Sequence, residues 1–182
     1  MDDVALASDT RPRLVSIDIC QARWDDIWPE CKMLMLDHRA EVGQEDSRAK
    51  LNPDHQAIRR LESLGGVFIL SARSRSTLIG YAIWFLTSSI ETTGLLVAQQ
   101  GPWFVVEAMR SRGTGMMLWR EAMKHFREIG VGLLLGHQPP TGPGSEATAK
   151  LFSRLGGKIE QTVWSIWLEQ LGETEAKREE SR

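Results

Sequence analysis

The chain alternates between two hydrophobic rhythms, and the switches between them mark its elements. Near the start, "RLVSIDI" (13–19) has the content of a strand, after which Trp24, Ile27, Trp28, Cys31, Leu34, Met35 and His38 recur every three or four positions. That spacing predicts a helix, with Pro29 near its first turn where a missing N–H is tolerated. A second predicted helix is punctuated at both ends, with Asn52 as N-cap, Pro53 as first residue, Ala57, Ile58, Leu61 and Leu64 on one face, and Gly65 as the stop.

Three strand-like runs follow with no helix between them, "GVFILSAR" (66–73), "TLIGYAIWFL" (77–86) and "GLLVAQQGPWFVV" (94–106). Short polar turns separate them, which predicts an antiparallel meander. Inside the third run, Gly101-Pro102 cannot make normal ladder bonds and predicts a bulge or kink. Leu118, Trp119, Ala122, Phe126 and Ile129 then line one face of a helix closed by Gly130. "VGLLLG" (131–136) reads as a buried strand, "SEATAKLFSRLGG" (145–157) as a short amphipathic helix and "KIEQTVWSIWL" (158–168) as a final strand. The predicted order is β-α-α-β-β-β-α-β-α-β, one α/β domain over residues 13–168 in which an antiparallel half passes into a βαβ half. Residues 1–12 and 169–182 carry no apolar period and read as flexible ends.

Composition narrows the class of partner. At 182 residues and a net charge of −2, the chain is sized for one domain and has no global basic field to recruit nucleic acid or an anionic membrane. Its longest apolar runs fall short of the ~18 residues of a membrane span. Only Cys20 and Cys31 are present, without metal-ligand spacing, and no signal peptide precedes them. Free thiols, no metal site and a cytoplasmic location are therefore expected.

The candidate chemistry centres on "EAMRSRGTGMML" (107–118), where two glycines open a helix just after a strand. Unpaired N–H groups and the positive end of a helix dipole there make a site for phosphate or pyrophosphate, and glycines allow close approach. A P-loop would need Lys-Ser/Thr where Met116 and Met117 stand, and a dinucleotide fingerprint would need a small residue at Leu118. "GPGSEA" (142–147) matches G-x-G-x-x-A but follows a long proline-containing loop, so it is set aside as coincidence.

"RSRGTG" (110–115) resembles the R/Q-x-x-G-x-G/A signature of the GNAT superfamily of N-acetyltransferases, and the element order around it is theirs. Within that superfamily, "LNPD" (51–54), "LIGYAIWF" (78–85), "RSRGTGMML" and the late "GH" (136–137) resemble small acetyltransferase-like proteins encoded by tailed phages, over roughly residues 24–168. The resemblance implies the acyl-CoA N-acyltransferase fold, a mixed central sheet with helices on both faces, and acetyl-CoA as co-substrate. It further implies that the stretch Arg110, Ser111, Arg112, Gly113, Thr114, Gly115 and Met116 binds the coenzyme, with the backbone amides from Arg112 to Met116 holding its pyrophosphate. The strand edge at Phe104 and Val105 would pair with pantetheine as an added strand. The implied reaction is acetyl transfer to an amine, a small molecule or a protein, by direct attack in a ternary complex.

Such a reaction needs a proton acceptor and a donor for the developing oxyanion. His137 follows the strand "VGLLLG" and suits a base, with a bond to the proline-rich loop as the alternative; Glu107, beside the glycines, is the second candidate, with a solvated or helix-N-terminal carboxylate as its alternative. Two positions depart from the superfamily: Phe152 stands where a tyrosine acid is common, and Gln100 and Gly101 where related phage proteins often carry an acid. A catalytically silent binding or assembly protein, phage-associated, is the other reading those departures leave open. Tyr81 reads as a core residue with a satisfied hydroxyl, and Trp103 as core or channel lining. From Trp84, Trp164 and Trp167 some tryptophan is expected at a subunit interface, which would make a homodimer.

Overall fold

A computed structural model describes residues 16–42, 50–138 and 143–159. In chain order these form β1 (Asp18–Gln21), α1 (Trp24–Glu41), α2 (His55–Ser63), β2 (Val67–Ser74), β3 (Thr77–Ser88), β4 (Leu96–Val105), α3 (Glu107–Arg110), α4 (Thr114–Glu128), β5 (Val131–Leu135) and α5 (Pro143–Arg154). The five strands make one mixed sheet in the order β1-β2-β3-β4-β5, antiparallel as far as β4 and parallel between β4 and β5. The predicted order of elements is recovered as far as α5, with the single turn α3 added. The proposed final strand past residue 159, the start of the first strand at 13–15 and both predicted flexible ends lie outside the described residues.

The chain divides into two compact units, Met1–Ala149 and Lys150–Arg182. The sheet and α1 to α4 belong to the first. In the second, the described stretch is the end of α5, where the Gly157 N–H returns to the Phe152 carbonyl at 2.9 Å.

Side-chain alternation along β2 explains why both faces of the sheet carry helices. Phe68, Leu70 and Ala72 join Leu118, Ala122 and Phe126 of α4 in one core, while Val67 and Ile69 join Trp24, Ile27, Cys31 and Met35 of α1 in the other. Trp84 is fully buried on the α4 side, set edge-on to the rings of Trp119 and Phe126 at 6.0 and 5.6 Å, so it is core and not an interface residue. Glu30 fixes α1 to the sheet by pairing with Arg73 at 2.7 Å and accepting from the Leu78 N–H at 3.3 Å. His38 and Glu41 follow two or three turns along the same helix, about 12 to 17 Å from that anchor at ~1.5 Å per residue.

Two irregularities in the sheet decide what happens at its far end. Ala72 pairs with Gly80 but Arg73 with Leu78, leaving Ile79 as an extra residue in β3. Past that bulge Tyr81 points to the α1 side and Ala82 to the α4 side. The second irregularity is the one predicted at Gly101-Pro102: Ala82 pairs with Trp103 and Trp84 with Gln100, so two residues of β4 face Ile83 alone. A side chain at Gly101 would put its Cβ 2.8 Å from Phe85 Cε2 and 3.1 Å from the Ile83 carbonyl oxygen. Beyond this bulge β4 leaves β5, which pairs with it only along Leu96–Gln99.

Three local expectations are corrected. Helix α2 is capped by Asp54, whose carboxylate accepts the Ala57 N–H at 2.9 Å, and not by Asn52; Pro53 precedes the cap instead of opening the helix. Strand β5 is not buried along its length, since Gly132 and Leu133 are exposed. Ile129 is 44% exposed, because it follows α4 as its C-cap, past the face that packs on the sheet.

Candidate active site

The parting of β4 from β5 leaves a strand edge open. The Val106 N–H donates to the Ile79 carbonyl at 3.0 Å, so the peptide groups of Val105 and Trp103 point away from β3, toward the gap. Among the described residues no strand pairs there. The Val105 carbonyl accepts Nε of Arg110 at 2.8 Å, which leaves one of its two lone pairs and the Val105 N–H directed at the gap. Phe104 and Val105 turn their side chains into opposite cores, so what they offer a ligand is backbone.

The next turn brings the predicted residues Arg110 to Met116 to the same end of β4. Two of their amides are used internally, Arg112 N–H to the Met109 carbonyl at 3.3 Å and Gly113 N–H to that of Arg110 at 3.2 Å. Gly113 then takes φ +78°, where a Cβ would meet nothing within 4 Å, and α4 begins. Thr114 is wholly buried and its hydroxyl donates to the Met109 carbonyl at 2.9 Å, pinning the turn beneath the helix. The amides of Thr114, Gly115 and Met116 are the first three of α4 and have no carbonyl a turn earlier to bond, whereas Met117 N–H is taken by Gly113 at 3.0 Å. Gly115 is glycine for another reason: its Cβ would sit 2.8 Å from Trp103 Cζ2. The Trp103 indole N–H beside it is buried and has no partner among the described residues.

On the opposite side of the sheet, a polar cluster that the spacing of residues did not single out surrounds the Phe104 ring. His38 stacks on that ring at 5.3 Å and 28°, with Nδ1 3.2 Å from the Tyr81 hydroxyl. The Arg110 guanidinium lies 5.3 Å from the Phe104 centroid and pairs with both oxygens of Glu41 at 2.6 and 2.7 Å. Burial holds the His38 imidazole below its ordinary 6.5; Glu41 works against that shift and Arg110 adds to it. Burial also pushes the Tyr81 phenol far above its usual range and the Cys31 thiol up to about 12. Both stay protonated at neutral pH, so Cys31 is no nucleophile. Tyr81 is thus a core residue with its hydroxyl satisfied, as expected, but its partner is a histidine.

His137 stands exposed just past β5, where the strands part. Its backbone N–H donates to Gln100 Oε1 at 3.0 Å, and its Nε2 lies 3.3 Å from the Gln99 side-chain amide. Gln100, only 8% exposed, therefore ties the end of β5 to β4 at the mouth of the gap. Glu107 is exposed at the first position of α3. Phe152 lies on α5 and brings no hydroxyl.

No family model and no curated protein matches the chain in sequence. Solved structures do match in fold. An aminoglycoside acetyltransferase from an uncultured soil metagenomic sample superposes with a TM-score of 0.70 at 18% identity, over 84% of this chain and 99% of that one. The fold is that of the GNAT acetyltransferases. Ribosomal-protein-alanine N-acetyltransferase from Brucella melitensis biovar Abortus 2308 gives 0.65 at 20% identity, over 84% and 99% of the two chains. The enzyme AAC(6')-Iy, solved with the bisubstrate analog CoA-S-monomethyl-acetylneamine, gives 0.60 at 15%, over 84% and 98%. Among the described residues no helix is long and apolar enough to cross a membrane, and no group of three or more His, Cys, Asp or Glu could hold a metal ion.

Proposed function

We propose that this chain is an acetyl-CoA-dependent N-acetyltransferase that moves acetyl to an amine by direct attack in a ternary complex. The observation that carries the reading is the open edge of β4, produced by the Gly101-Pro102 bulge, immediately before a helix start where the amides of Gly115 and Met116 are unbonded and accessible. The residues fit the coenzyme. The accessible amides at the start of α4, those of Gly115 and Met116, would hold the pyrophosphate, while Arg110, Ser111, Arg112, Gly113 and the buried Thr114 shape the turn. The peptide edge at Phe104 and Val105 would take the pantetheine amides, with Val105 N–H available to the thioester carbonyl as negative charge develops on it. The buried Trp103 indole N–H is a further donor beside that path.

His137 at the mouth of the gap and Glu107 at the start of α3 are the proton acceptors that sequence reading nominates. One of the solved neighbours is an aminoglycoside acetyltransferase and another a ribosomal-protein-alanine N-acetyltransferase, so a polyamine and a protein N-terminus both belong in the acceptor panel. The motif likeness to phage-encoded proteins and a homodimer remain parts of this reading. Gln100 and Phe152 favour a second one, a catalytically silent binding or assembly module.

Thiol release from acetyl-CoA across a panel of aminoglycosides, diamines and N-terminal peptides separates the two. Acceptor-dependent release supports the transferase. Coenzyme binding with no release for any amine supports the silent module.

A further inference from the structure

We propose that His38, held by Tyr81, is the proton acceptor for the attacking amine and marks the face of the sheet from which that amine enters. The inference rests on the acetyltransferase reading and gives it a second side. The coenzyme turn opens α4, which packs on one face of the sheet; His38 belongs to α1, which packs on the other. In a ternary complex the amine must reach the thioester carbon from a direction the coenzyme does not occupy, and the gap between β4 and β5 joins the two faces. His38 stacks on Phe104, one residue before the Val105 amide that opens onto that gap. Arg110 links the two positions, over the Phe104 ring and bonded to the Val105 carbonyl.

The imidazole is set up for one job. Its Nδ1 is engaged by the Tyr81 hydroxyl, and Nε2 makes no hydrogen bond with a described residue. With Nδ1–H donated to the Tyr81 oxygen, the Nε2 lone pair is the acceptor, and the same bond persists when the ring becomes imidazolium. The charged groups facing it are Glu41 of α1, which favours the imidazolium, and Arg110 of α3, which opposes it. Tyr81 of β3 remains an uncharged phenol and Phe104 of β4 has no charge. Burial keeps the resting ring neutral at pH 7. His137, by contrast, is exposed and turns Nε2 toward the Gln99 amide.

The step balances without another reagent. An ammonium acceptor gives one proton to His38 Nε2; the freed lone pair attacks the thioester carbon, the C–N bond forms and the C–S bond breaks with its electron pair on sulfur. The second nitrogen proton passes to that sulfur through water, giving the thiol, and the imidazolium returns its proton to solvent.

The test uses the full chain with acetyl-CoA and a reactive amine. In His38→Gln, acetyl-CoA affinity by calorimetry should stay within about twofold, since the ring lies off the coenzyme side, while kcat should fall by roughly 10²–10⁴. The acid inflection of kcat/KM against pH should vanish in that variant, persist in His137→Gln, and move to lower pH in Tyr81→Phe, which loses the acceptor for the imidazolium proton. An inflection that survives in His38→Gln, or that vanishes only in His137→Gln, overturns the proposal. Should His38→Gln fail to fold, diethyl pyrocarbonate decides on the wild type: carbethoxylation of His38, read by peptide mass spectrometry, should track loss of turnover. A His38 that resists the reagent in the folded protein contradicts the assignment. Failure of the wild type to bind acetyl-CoA is a separate outcome, which overturns the transferase reading and this inference with it.

Discussion

Alanine at Gly113 would stand in open space yet be held at φ +78°, a conformation that costs an L-residue about 1–2 kcal/mol. Alanine at Gly115 has the reverse problem, ordinary helical backbone with a Cβ 2.8 Å from the Trp103 ring, and overpacking of that kind costs about 1–3 kcal/mol. Urea denaturation of both variants should show both losses, and only Gly115→Ala should shift tryptophan fluorescence. A Gly115→Ala protein as stable as the wild type would mean that the Trp103 contact yields. His38 gives stability a pH dependence. Its folded pKa lies below the ordinary 6.5, so as pH falls through that value the unfolded chain takes up the proton first and stability declines. The decline continues until the folded pKa is reached, and His38→Gln should remove it. Denaturation midpoints with the same slope below pH 6.5 in both proteins would assign the effect to another group. Gln100→Ala should cost about 0.5–1.5 kcal/mol by removing the bond to the His137 N–H at the strand mouth, measured by the same denaturation.

Strand β4 is the element on which the site depends, and its Gly101-Pro102 bulge is what frees its edge. Gly101→Val cannot be accommodated between Phe85 and the Ile83 carbonyl without moving β4, so it should lower coenzyme affinity as well as stability. A variant destabilised but with unchanged affinity would disconnect the bulge from the site. That bulge was legible because glycine and proline punctuate it, and the helices were legible because their apolar residues keep a steady period. The start of α2 was misread by two residues: Asn52 and Asp54 are both good caps, and only the folded backbone shows which carboxyl or amide reaches the Ala57 N–H. The bulge at Ile79 was marked only by the single glycine that follows it, Gly80, in a run otherwise apolar, and the switch that turns Tyr81 toward α1 was not drawn from it. His38, likewise, passed as one more position in the stripe of α1. Its meaning depends on Tyr81 and Phe104, more than forty residues away, which periodicity does not connect.

For the molecule as a whole, the reading comes down to a ligand that only the native state binds. The resemblance carried by "RSRGTG" implied a coenzyme turn, and in the folded chain the amides of that stretch that are both unbonded and accessible are those of Gly115 and Met116. A ligand at 100 times its Kd stabilises the native state by about 2.7 kcal/mol, which for a chain of this size raises Tm by roughly 5–10 °C. The most direct measurement is a calorimetric titration of the full chain with acetyl-CoA, accompanied by a melting curve at saturation. The account predicts saturable binding at one site per chain and that rise in Tm. No heat of binding and an unmoved Tm at millimolar acetyl-CoA would contradict it.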